Sequence, residues 1–464
     1  MALKDFILKY APVTGQNLGI SLYNTHLYRQ RHNGQYKAYR EYYRRFETAS
    51  PDEVRREARL RQEQFLEAAT RDSPWYAAHR GKPLHEFPVL EKAELMANMD
   101  AIRTISERDG IVSLTGGTTG ASMKVVYTHR DMQERFALKD HFRARYGYRL
   151  GKKVAWFSGK SLVRPSDLEA GNVWRDDYIN RIRFFSTFHI SQRNFDAYWR
   201  AFCDFRPEYI VGFPSSVYDL CVMSLERGLR YPGEVKTFFP TAETVLPQYR
   251  DVISRVFGCR LVDQYAASEG VPFILQCPDG RLHIHPLTGV FEVVDENMRP
   301  AREGEILVTS FTSNGTPLIR YRIGDRIRLA PPDEQCACGS CFPLVERIDG
   351  RSADFVWSPQ NGKVNLGNIS NCTKDAQGIV CFQVVQEQPD AVRISVVGGP
   401  QFTPAQQQRF LQAMRLRLGD AMAMEFTLVE QIPREKSGKF RIVKNLLSPE
   451  AMRPAGAGEG RPWS

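Results

Sequence analysis

Long hydrophobic runs are missing from this sequence, and no stretch approaches the roughly 18 apolar residues that a membrane-spanning helix needs. The apolar core of residues 1–10 is too short for a secretory signal peptide. Cysteine is scarce, with nine in 464 residues, so a disulfide framework is excluded and reduced thiols are expected. With 42% hydrophobic and 25% charged residues, the composition also excludes a collagen-like or wholly disordered chain. We therefore predict a cytoplasmic globular protein of two or three domains.

Acidic residues are few at the start of the chain. Residues 1–50 hold eight Lys or Arg against three acids, which accounts for half of the net charge of +10. The favoured interpretation is a set of packed helices with solvated basic faces. The alternative is an anionic surface binder, with weak peripheral association to a membrane. A nucleic-acid binder is not expected, because no recognition motif accompanies the basic residues.

The order of apolar and amphipathic stretches predicts the fold class. Residues 1–90 are rich in helix formers and are interpreted as a helical N-terminal extension. From about 150 to 265, short buried strands alternate with helical patterns, which indicates parallel βαβ units. After about 280 the strands follow one another closely, as in a small antiparallel unit. Beyond about 350 lies a compact α+β pattern. The predicted strands are 153–158, 183–188, 209–213, 235–239, 260–265, 283–285, 290–294, 304–310 and 318–322, then 380–386, 392–397 and 424–429.

The sequence thus predicts an α/β protein with parallel βαβ sheets, a small antiparallel subdomain and a small, mobile α+β C-terminal domain. The expected boundaries are a helical extension at 1–90, a large domain at 91–350, a small lid domain at 351–447 and a disordered tail at 448–464. A homodimer is left open.

Residues 113–124, SLTGGTTGASMK, predict a phosphate-binding loop. Gly116, Gly117 and Gly120 permit tight turns that expose backbone N–H groups, and threonine hydroxyls add further donors. Lys124 adds a positive charge. The spacing differs from that of a Walker A loop. Taken alone, the segment is equally compatible with a flexible Ser/Thr/Gly loop.

Five motifs in one order resemble those of the adenylate-forming (AMP-binding) superfamily. They are residues 113–124 (SLTGGTTGASMK), 241–244 (TAET), 263–269 (DQYAASE), 321–325 (YRIGD) and 433–441 (PREKSGKFR). Residues 211–216 (VGFPSS), 347–351 (RIDGR) and 382–386 (FQVVQ) are similar to the phenylacetate–CoA ligase branch, which includes capsular polysaccharide biosynthesis proteins. The sequence departs from the branch at two places. One is Ala266-Ala267. The other is residues 352–357, SADFVW, which lack the second acid that is usual there and differ from loops that contact CoA.

The resemblance implies an ATP- and Mg²⁺-dependent ligase that activates a carboxylic acid as an acyl-adenylate. The implied catalytic residues are Lys439, Lys124 and Glu269, with Glu269 holding magnesium. A mobile C-terminal domain would turn about a hinge at Asp354. The implied ATP-binding residues are Thr115, Gly116, Gly117, Thr118, Thr119, Gly120, Glu243, Tyr265, Asp325 and Arg347. The implied acyl pocket consists of Phe213, Thr241, Ala242 and Ala267.

Three thiols within six residues, Cys336, Cys338 and Cys341, indicate a structural zinc site. Together with upstream residues they offer a four-ligand set of Cys277, His283, Cys336 and Cys338, for which Cys341 and His285 are substitutes. Members of the resembled branch show the same pattern. The alternative is a plain turn with reduced cysteines.

The expected function is adenylation followed by transfer to coenzyme A. One alternative is direct acyl transfer to an amine or sugar in capsular or exopolysaccharide biosynthesis. A second is a non-catalytic relative that acts as a binding protein. The sequence leaves the identity of the carboxylic acid open.

Overall fold

The computed structural model describes residues 11–114, 123–160, 162–243, 245–349, 355–432, 441–448 and 450–452. The helices are α1 Val13–His32, α2 Tyr36–Phe46, α3 Pro51–Asp72, α4 Lys92–Ala97, α5 Met99–Ile102, α6 His129–Ala144, α7 Pro165–Glu169, α8 Phe195–Phe205, α9 Pro214–Glu226, α10 Pro247–Phe257, α11 Leu366–Ser370 and α12 Pro404–Leu418. Short 3₁₀ turns span Ala77–His79, Leu84–Glu86, Asn371–Asp375 and Glu450–Met452.

The strands also follow chain order. They are β1 Ile111–Leu114, β2 Lys124–Tyr127, β3 Val154–Ser158, β4 Trp174–Asp177, β5 Ile182–Ser186, β6 Tyr209–Gly212, β7 Thr237–Pro240, β8 Arg260–Leu261, β9 Gln264–Tyr265, β10 Ile274–Gln276, β11 Leu282–Ile284, β12 Gly289–Val294, β13 Glu303–Ser310, β14 Tyr321–Leu329, β15 Leu344–Asp349, β16 Phe355–Ser358, β17 Gly362–Asn365, β18 Ile379–Gln388, β19 Ala391–Gly398, β20 Ala423–Leu428 and β21 Val443–Asn445.

The longest N-terminal helix, α3, begins directly after a residue that caps it. Ser50 caps α3, because its hydroxyl accepts from the N–H of Glu53 while the Glu53 carboxylate accepts from the N–H of Ser50. Pro51 occupies the first helical position, where a missing N–H costs nothing. Regular helix ends at Asp72, and residues 73–90 contain only short 3₁₀ turns. The predicted helical extension is therefore α-helical only as far as α3.

A six-stranded sheet confirms the predicted parallel βαβ arrangement. Its strand order is β4-β5-β3-β6-β7-β8, and every pair is parallel except β4 with β5. Alternate residues of β6 face opposite sides. Ile210 packs with α8, α9 and α10, whereas Tyr209 and Val211 pack with α2 and α6. Because both faces are buried, the strands are nearly continuous apolar runs.

A seven-stranded antiparallel sheet follows, in the order β12-β13-β14-β15-β11-β10-β9, and confirms the expected antiparallel unit. The single strand predicted for 260–265 is wrong. Leu261 pairs in the parallel sheet, whereas Tyr265 pairs with Ile274 in the antiparallel sheet. Between them Asp263 turns the chain, since its N–H donates to the Gln276 side chain and its carboxylate accepts from the N–H of Gln264.

Residues 355–452 hold a separate core. The sheet β20-β19-β18-β21 packs with α12 around Phe382, Ile394 and Phe410, and the hairpin β16–β17 adds Val356 and Val364. This is the α+β pattern expected from the sequence. Among the described residues, no helix combines the length and apolar character required to cross a bilayer.

Candidate active site and Cys/His cluster

The carboxyl ends of the parallel strands carry three of the four residues predicted to form an acyl pocket, whereas the fourth, Ala267, lies in the loop after β9 of the antiparallel sheet. Phe213 follows β6 and is buried, and its N–H donates to Phe157 O over 3.0 Å. Thr241 follows β7, and its N–H donates to Gly212 O over 2.9 Å. Ala242 adopts a left-handed conformation, with φ of 66°, which costs a non-glycine residue free energy. The turn after β7 is therefore locally strained where the pocket is expected.

Glu243 follows β7, and its side chain reaches the N-terminus of α9. Its carboxylate accepts from the N–H and hydroxyl of Ser215, over 3.1 and 3.0 Å. A carboxylate is stabilised at a helix N-terminus because unpaired N–H groups point at it. Burial nevertheless raises the pKa of Glu243 to about 7, and Asp219 contributes to the rise. Burial also raises the pKa of Asp219, to about 6.

Two residues predicted to contact the nucleotide lie together. The Tyr265 hydroxyl donates to Asp325 Oδ2 over 2.8 Å, although 60 residues separate them in sequence. Tyr265 lies in β9 and Asp325 in β14, at separate positions of the same antiparallel sheet. Gly324, immediately before the aspartate, has a φ of 86° and is therefore in a conformation that favours glycine.

Glu269, the predicted magnesium residue, is buried in the loop after β9, with 8% of its surface exposed. Residues outside the predicted set hold this loop. The Arg135 guanidinium donates to the carbonyls of Gly270 and Val271, both over 3.0 Å, and the Tyr127 hydroxyl donates to Ser268 O over 2.9 Å. Burial, with a contribution from Glu269, raises the pKa of Tyr127 to about 12. Sequence reasoning missed Arg135 and Tyr127 because neither belongs to a motif.

Lys124 is the first residue of β2 and lies opposite Leu114, the last residue of β1. Its ammonium donates to both carboxylate oxygens of Glu107 at 3.1 Å, and the pair is solvent-exposed. The predicted loop residues Thr115, Gly116, Gly117, Thr118, Thr119 and Gly120 lie outside the described residues. Lys124 therefore has a carboxylate partner where the prediction places a phosphate.

Arg347 is not placed with Asp325. In β15 it lies opposite Arg328 of β14, which in turn lies opposite Glu303 of β13. The Arg347 guanidinium donates to Glu303 over 3.3 Å. The β13–β14 pairing shifts register at residues 323–325, which include Asp325. Among the described residues no hydrogen bond joins Arg347 to Asp325, which accepts from Tyr265 instead.

Two further predicted residues, Lys439 and the hinge residue Asp354, lie outside the described residues. A different lysine of the C-terminal part lies near the site. Burial and Arg417 lower the pKa of Lys374, while Glu269 opposes this shift by its negative charge. No sequence motif indicated this residue.

The four preferred zinc ligands meet in space. The ligand atoms of Cys277, His283, Cys336 and Cys338 all lie within 4.8 Å of one another. The sulfurs of Cys277 and Cys336 are 3.6 Å apart, and Cys338 Sγ is 3.5 Å from His283 Nε2. These separations suit a tetrahedral ion with Zn–S bonds of about 2.3 Å. Three thiols and one imidazole form a donor set that zinc commonly takes.

The surroundings orient the cluster. His283 Nδ1 lies 3.0 Å from Phe342 O, so the ring directs Nε2 toward Cys338. The two substitute ligands are excluded from the four-residue group. Cys341 is exposed, and the ring of His285 contacts Tyr43 and Phe342 instead.

Comparisons with known proteins agree with this fold. The family model of the CapK C-terminal domain matches residues 356–446. The chain is 28% identical to protein CapK of Staphylococcus aureus over 463 residues, covering 95% of this chain and 99% of that protein. It is 25% identical to the phenylacetate-coenzyme A ligase of Escherichia coli (strain K12) over 306 residues, covering 59% of this chain and 62% of the ligase.

Another relative is the indoleacetate–lysine synthetase of Pseudomonas savastanoi, 24% identical over 326 residues, which covers 67% of this chain and 75% of the synthetase. Among solved structures, 2-hydroxyisobutyryl-CoA ligase in its thioesterification state superposes with a TM-score of 0.55. The match covers 87% of this chain and 91% of that one, at 18% identity. The fold is therefore shared with an acyl-CoA ligase.

Proposed function

Since the chain is a homologue of the phenylacetate–CoA ligase and CapK branch of the adenylate-forming superfamily, we propose that it activates a carboxylic acid. The proposed reaction consumes ATP, forms an acyl-adenylate and pyrophosphate, and then transfers the acyl group to coenzyme A. The observation that carries this proposal is the hydrogen bond between Tyr265 and Asp325 beside the loop of buried Glu269. Residues of two distant motifs thus lie together at one surface.

Adenylation joins two anions, so the site must offset their repulsion. A carboxylate oxygen attacks the α-phosphorus, the α–β phosphoanhydride bond breaks, and pyrophosphate leaves. Positive charge is required where negative charge develops on the transferred phosphoryl group. We assign that role to Lys439. Lys124 and loop 115–120 would hold the β- and γ-phosphates, with Lys124 leaving Glu107 for the nucleotide.

Magnesium fits the buried carboxylate of Glu269, a hard oxygen ligand of the kind this ion prefers. When bound, the ion would neutralise charge on the phosphate oxygens. Arg135 and Tyr127 keep the loop fixed through its carbonyls, so that the carboxylate is oriented before the nucleotide arrives.

Asp325 would accept hydrogen bonds from ribose hydroxyls while Tyr265 orients its carboxylate. Glu243, Phe213, Thr241, Ala242 and Ala267 would border the α-phosphate and the acyl group. Arg347 is retained as a nucleotide-binding candidate only on its motif, since its contact is with Glu303.

Pyrophosphate exchange tests the adenylation half-reaction. The protein is incubated with ATP, Mg²⁺, labelled pyrophosphate and one acid at a time from a panel of aromatic, aliphatic and hydroxylated carboxylic acids. We expect at least one acid to drive label into ATP, and no exchange without acid. Absence of exchange with every acid would favour the alternative of a non-catalytic binding protein.

A second acceptor remains open because one relative is named as an indoleacetate–lysine synthetase, and that name states an amine acceptor. The similarity to CapK along the chain supports a role in capsule biosynthesis but names no acceptor. Adding coenzyme A to a reaction that shows pyrophosphate exchange distinguishes coenzyme A from an amine or sugar as the acceptor. A thioester supports transfer to coenzyme A, and rapid exchange without thioester supports an amine or sugar.

We also propose a structural zinc ion at the cluster of Cys277, His283, Cys336 and Cys338. The ion would join β10 and β11 to the loop between β14 and β15 and thereby stabilise one end of the antiparallel sheet. Elemental analysis of protein purified without chelator should give about one zinc per chain. A result of no zinc would leave the cluster as a turn with free thiols.

A further inference from the structure

Four neighbouring parallel strands of the six-stranded sheet, β5, β3, β6 and β7, end at the same edge. Gly159, Thr187, Phe213 and Thr241 each come directly after a strand, following β3, β5, β6 and β7 respectively. The strands are parallel and in register, so these residues form a row across the sheet. In open α/β sheets, ligands bind outside the carboxyl ends of the strands.

Residues of the C-terminal part cover this row. The Thr187 hydroxyl donates to Asn368 Oδ1 over 3.0 Å, and Asn368 Nδ2 donates back to Thr187 O over 3.1 Å. Asn368 is 0% exposed and Thr187 is 3% exposed. Because a buried amide without partners is costly, this reciprocal pair fixes the position of α11 against the end of β5.

The 3₁₀ turn Asn371–Asp375, directly after α11, places Asn371 beside the acyl pocket. A Cβ atom built on Gly159 would stand 2.5 Å from Asn371 Nδ2 and 3.3 Å from Phe213 Cε2. Asn368 Oδ1 would stand 2.7 Å from the same Cβ atom, so Asn368, Asn371 and the Phe213 ring all pack closely around Gly159. Asn371 is partly exposed.

We infer that Asn371 is a specificity-determining residue of the acyl pocket, positioned there by the hydrogen bonds between Asn368 and Thr187. The inference rests on the proposed function. An amide beside the Phe213 ring offers both a donor and an acceptor to the acyl tail. The preferred substrates are accordingly carboxylic acids that carry a hydroxyl or similar polar group on the tail, rather than purely apolar acids.

The test compares acids that differ by one hydroxyl. Pyrophosphate exchange is measured for phenylacetate against 4-hydroxyphenylacetate, and for butyrate against 3-hydroxybutyrate. We expect the wild type to prefer the hydroxylated acid of at least one pair. Asn371→Leu, which keeps the size and removes the amide, should reduce that preference in kcat/KM about tenfold. The KM for ATP should stay unchanged, because the amide lies at the acyl side.

A matched pair of variants tests the positioning. Thr187→Val removes the hydroxyl that donates to Asn368 and should lower the same preference, whereas Thr187→Ser retains the hydroxyl and should preserve it. This pair also keeps the inference testable if Asn371→Leu fails to fold.

Two results would overturn the inference while the proposed function stands. One is a wild type that exchanges but prefers the acid without hydroxyl in both pairs. The other is an Asn371→Leu or Thr187→Val variant whose preference stays within about twofold of the wild type, since losing one hydrogen bond changes a rate ratio by more than that. A wild type that exchanges with no acid would instead overturn the proposed function, and the inference with it.

Discussion

The Cys/His cluster and the candidate active site differ in how far the chain alone assembles them. In the cluster, four ligand atoms lie within 4.8 Å of one another. In the candidate site, Lys124 pairs with Glu107, Arg347 with Glu303, and Glu243 with Ser215. The first group faces inward to a common centre, whereas members of the second are held by separate protein partners.

The difference follows from the supporting structure. The cluster is built from one hairpin and one loop of a single antiparallel sheet, so hydrogen bonds between strands fix its geometry. The candidate site is spread over the parallel sheet edge, the antiparallel sheet and the C-terminal part. We expect the nucleotide and acid to replace protein partners such as Glu107, and so to complete the site. The variants below test this contrast.

The largest effect is expected for Lys439→Ala. Because this lysine would offset charge on the transferred phosphoryl group, its loss should slow pyrophosphate exchange about 100-fold or more. Lys436→Ala, in the same motif, is the matched control and should retain exchange. Binding of ATP, measured by calorimetry, should persist in both variants, since the phosphate loop is unaltered. Near-normal exchange in Lys439→Ala would refute the assignment.

Substitutions in the Cys/His cluster should change the stability of the protein rather than its catalytic rate. Cys336→Ser removes a ligand from a preassembled donor set, so we expect loss of zinc and a Tm lower by several degrees. Cys341→Ser is the control, because Cys341 is exposed and outside the group. Metal content and Tm are measured for both. If the two variants keep equal zinc, the assignment of the four ligands is wrong.

A smaller effect is expected at the nucleotide contact. Asp325→Ala removes the carboxylate that would accept from the ribose, and the KM for ATP should rise about tenfold or more. Tyr265→Phe removes only the hydroxyl that orients Asp325, so the rise should be a few-fold. The KM for the acid should change little in either variant. If the two substitutions raised the KM for the acid as much as the KM for ATP, the role of these residues would not be specific to the nucleotide.

The smallest effect concerns pH and stability. The pKa of Glu243 is raised from its usual 4.5 to about 7, so the folded protein binds this proton more tightly than the unfolded chain. The stability contributed by Glu243 is therefore present at low pH and is lost as pH rises through about 7. Glu243→Gln cannot ionise, so its Tm relative to the wild type should increase between about pH 5 and about pH 8. A pH-independent difference would contradict the raised pKa.

Sequence patterns predicted the fold well where one physical signal dominates. The fully buried strand Tyr209–Gly212 was found because a parallel strand covered on both faces must be apolar. The segment 260–265 was misread as one strand, because its apolar residues belong to two sheets and only the Asp263 turn separates them. The Cys/His cluster was predicted from the close spacing of Cys336 and Cys338 and from the pattern of the resembled branch, which adds Cys277 and His283.

The candidate site was predictable only through motifs, and a motif does not indicate which other residues its side chains contact. Tyr265 and Asp325 meet as expected for residues of one site. The partner of Lys124, the contact of Arg347 with Glu303 and the support from Arg135 depend on long-range packing. The contact of Asn368 with Thr187 joins residues 181 positions apart, which no local pattern encodes.

Oxygen transfer tests the central claim, the formation of an acyl-adenylate, most directly. An acid that supports exchange is labelled with ¹⁸O in its carboxylate and converted with ATP and the acceptor, and the AMP is analysed by mass spectrometry. If a carboxylate oxygen attacks the α-phosphorus, each AMP should carry one ¹⁸O, because the acyl carbon–oxygen bond breaks when the acceptor attacks. Unlabelled AMP, or label in inorganic phosphate, would contradict the account.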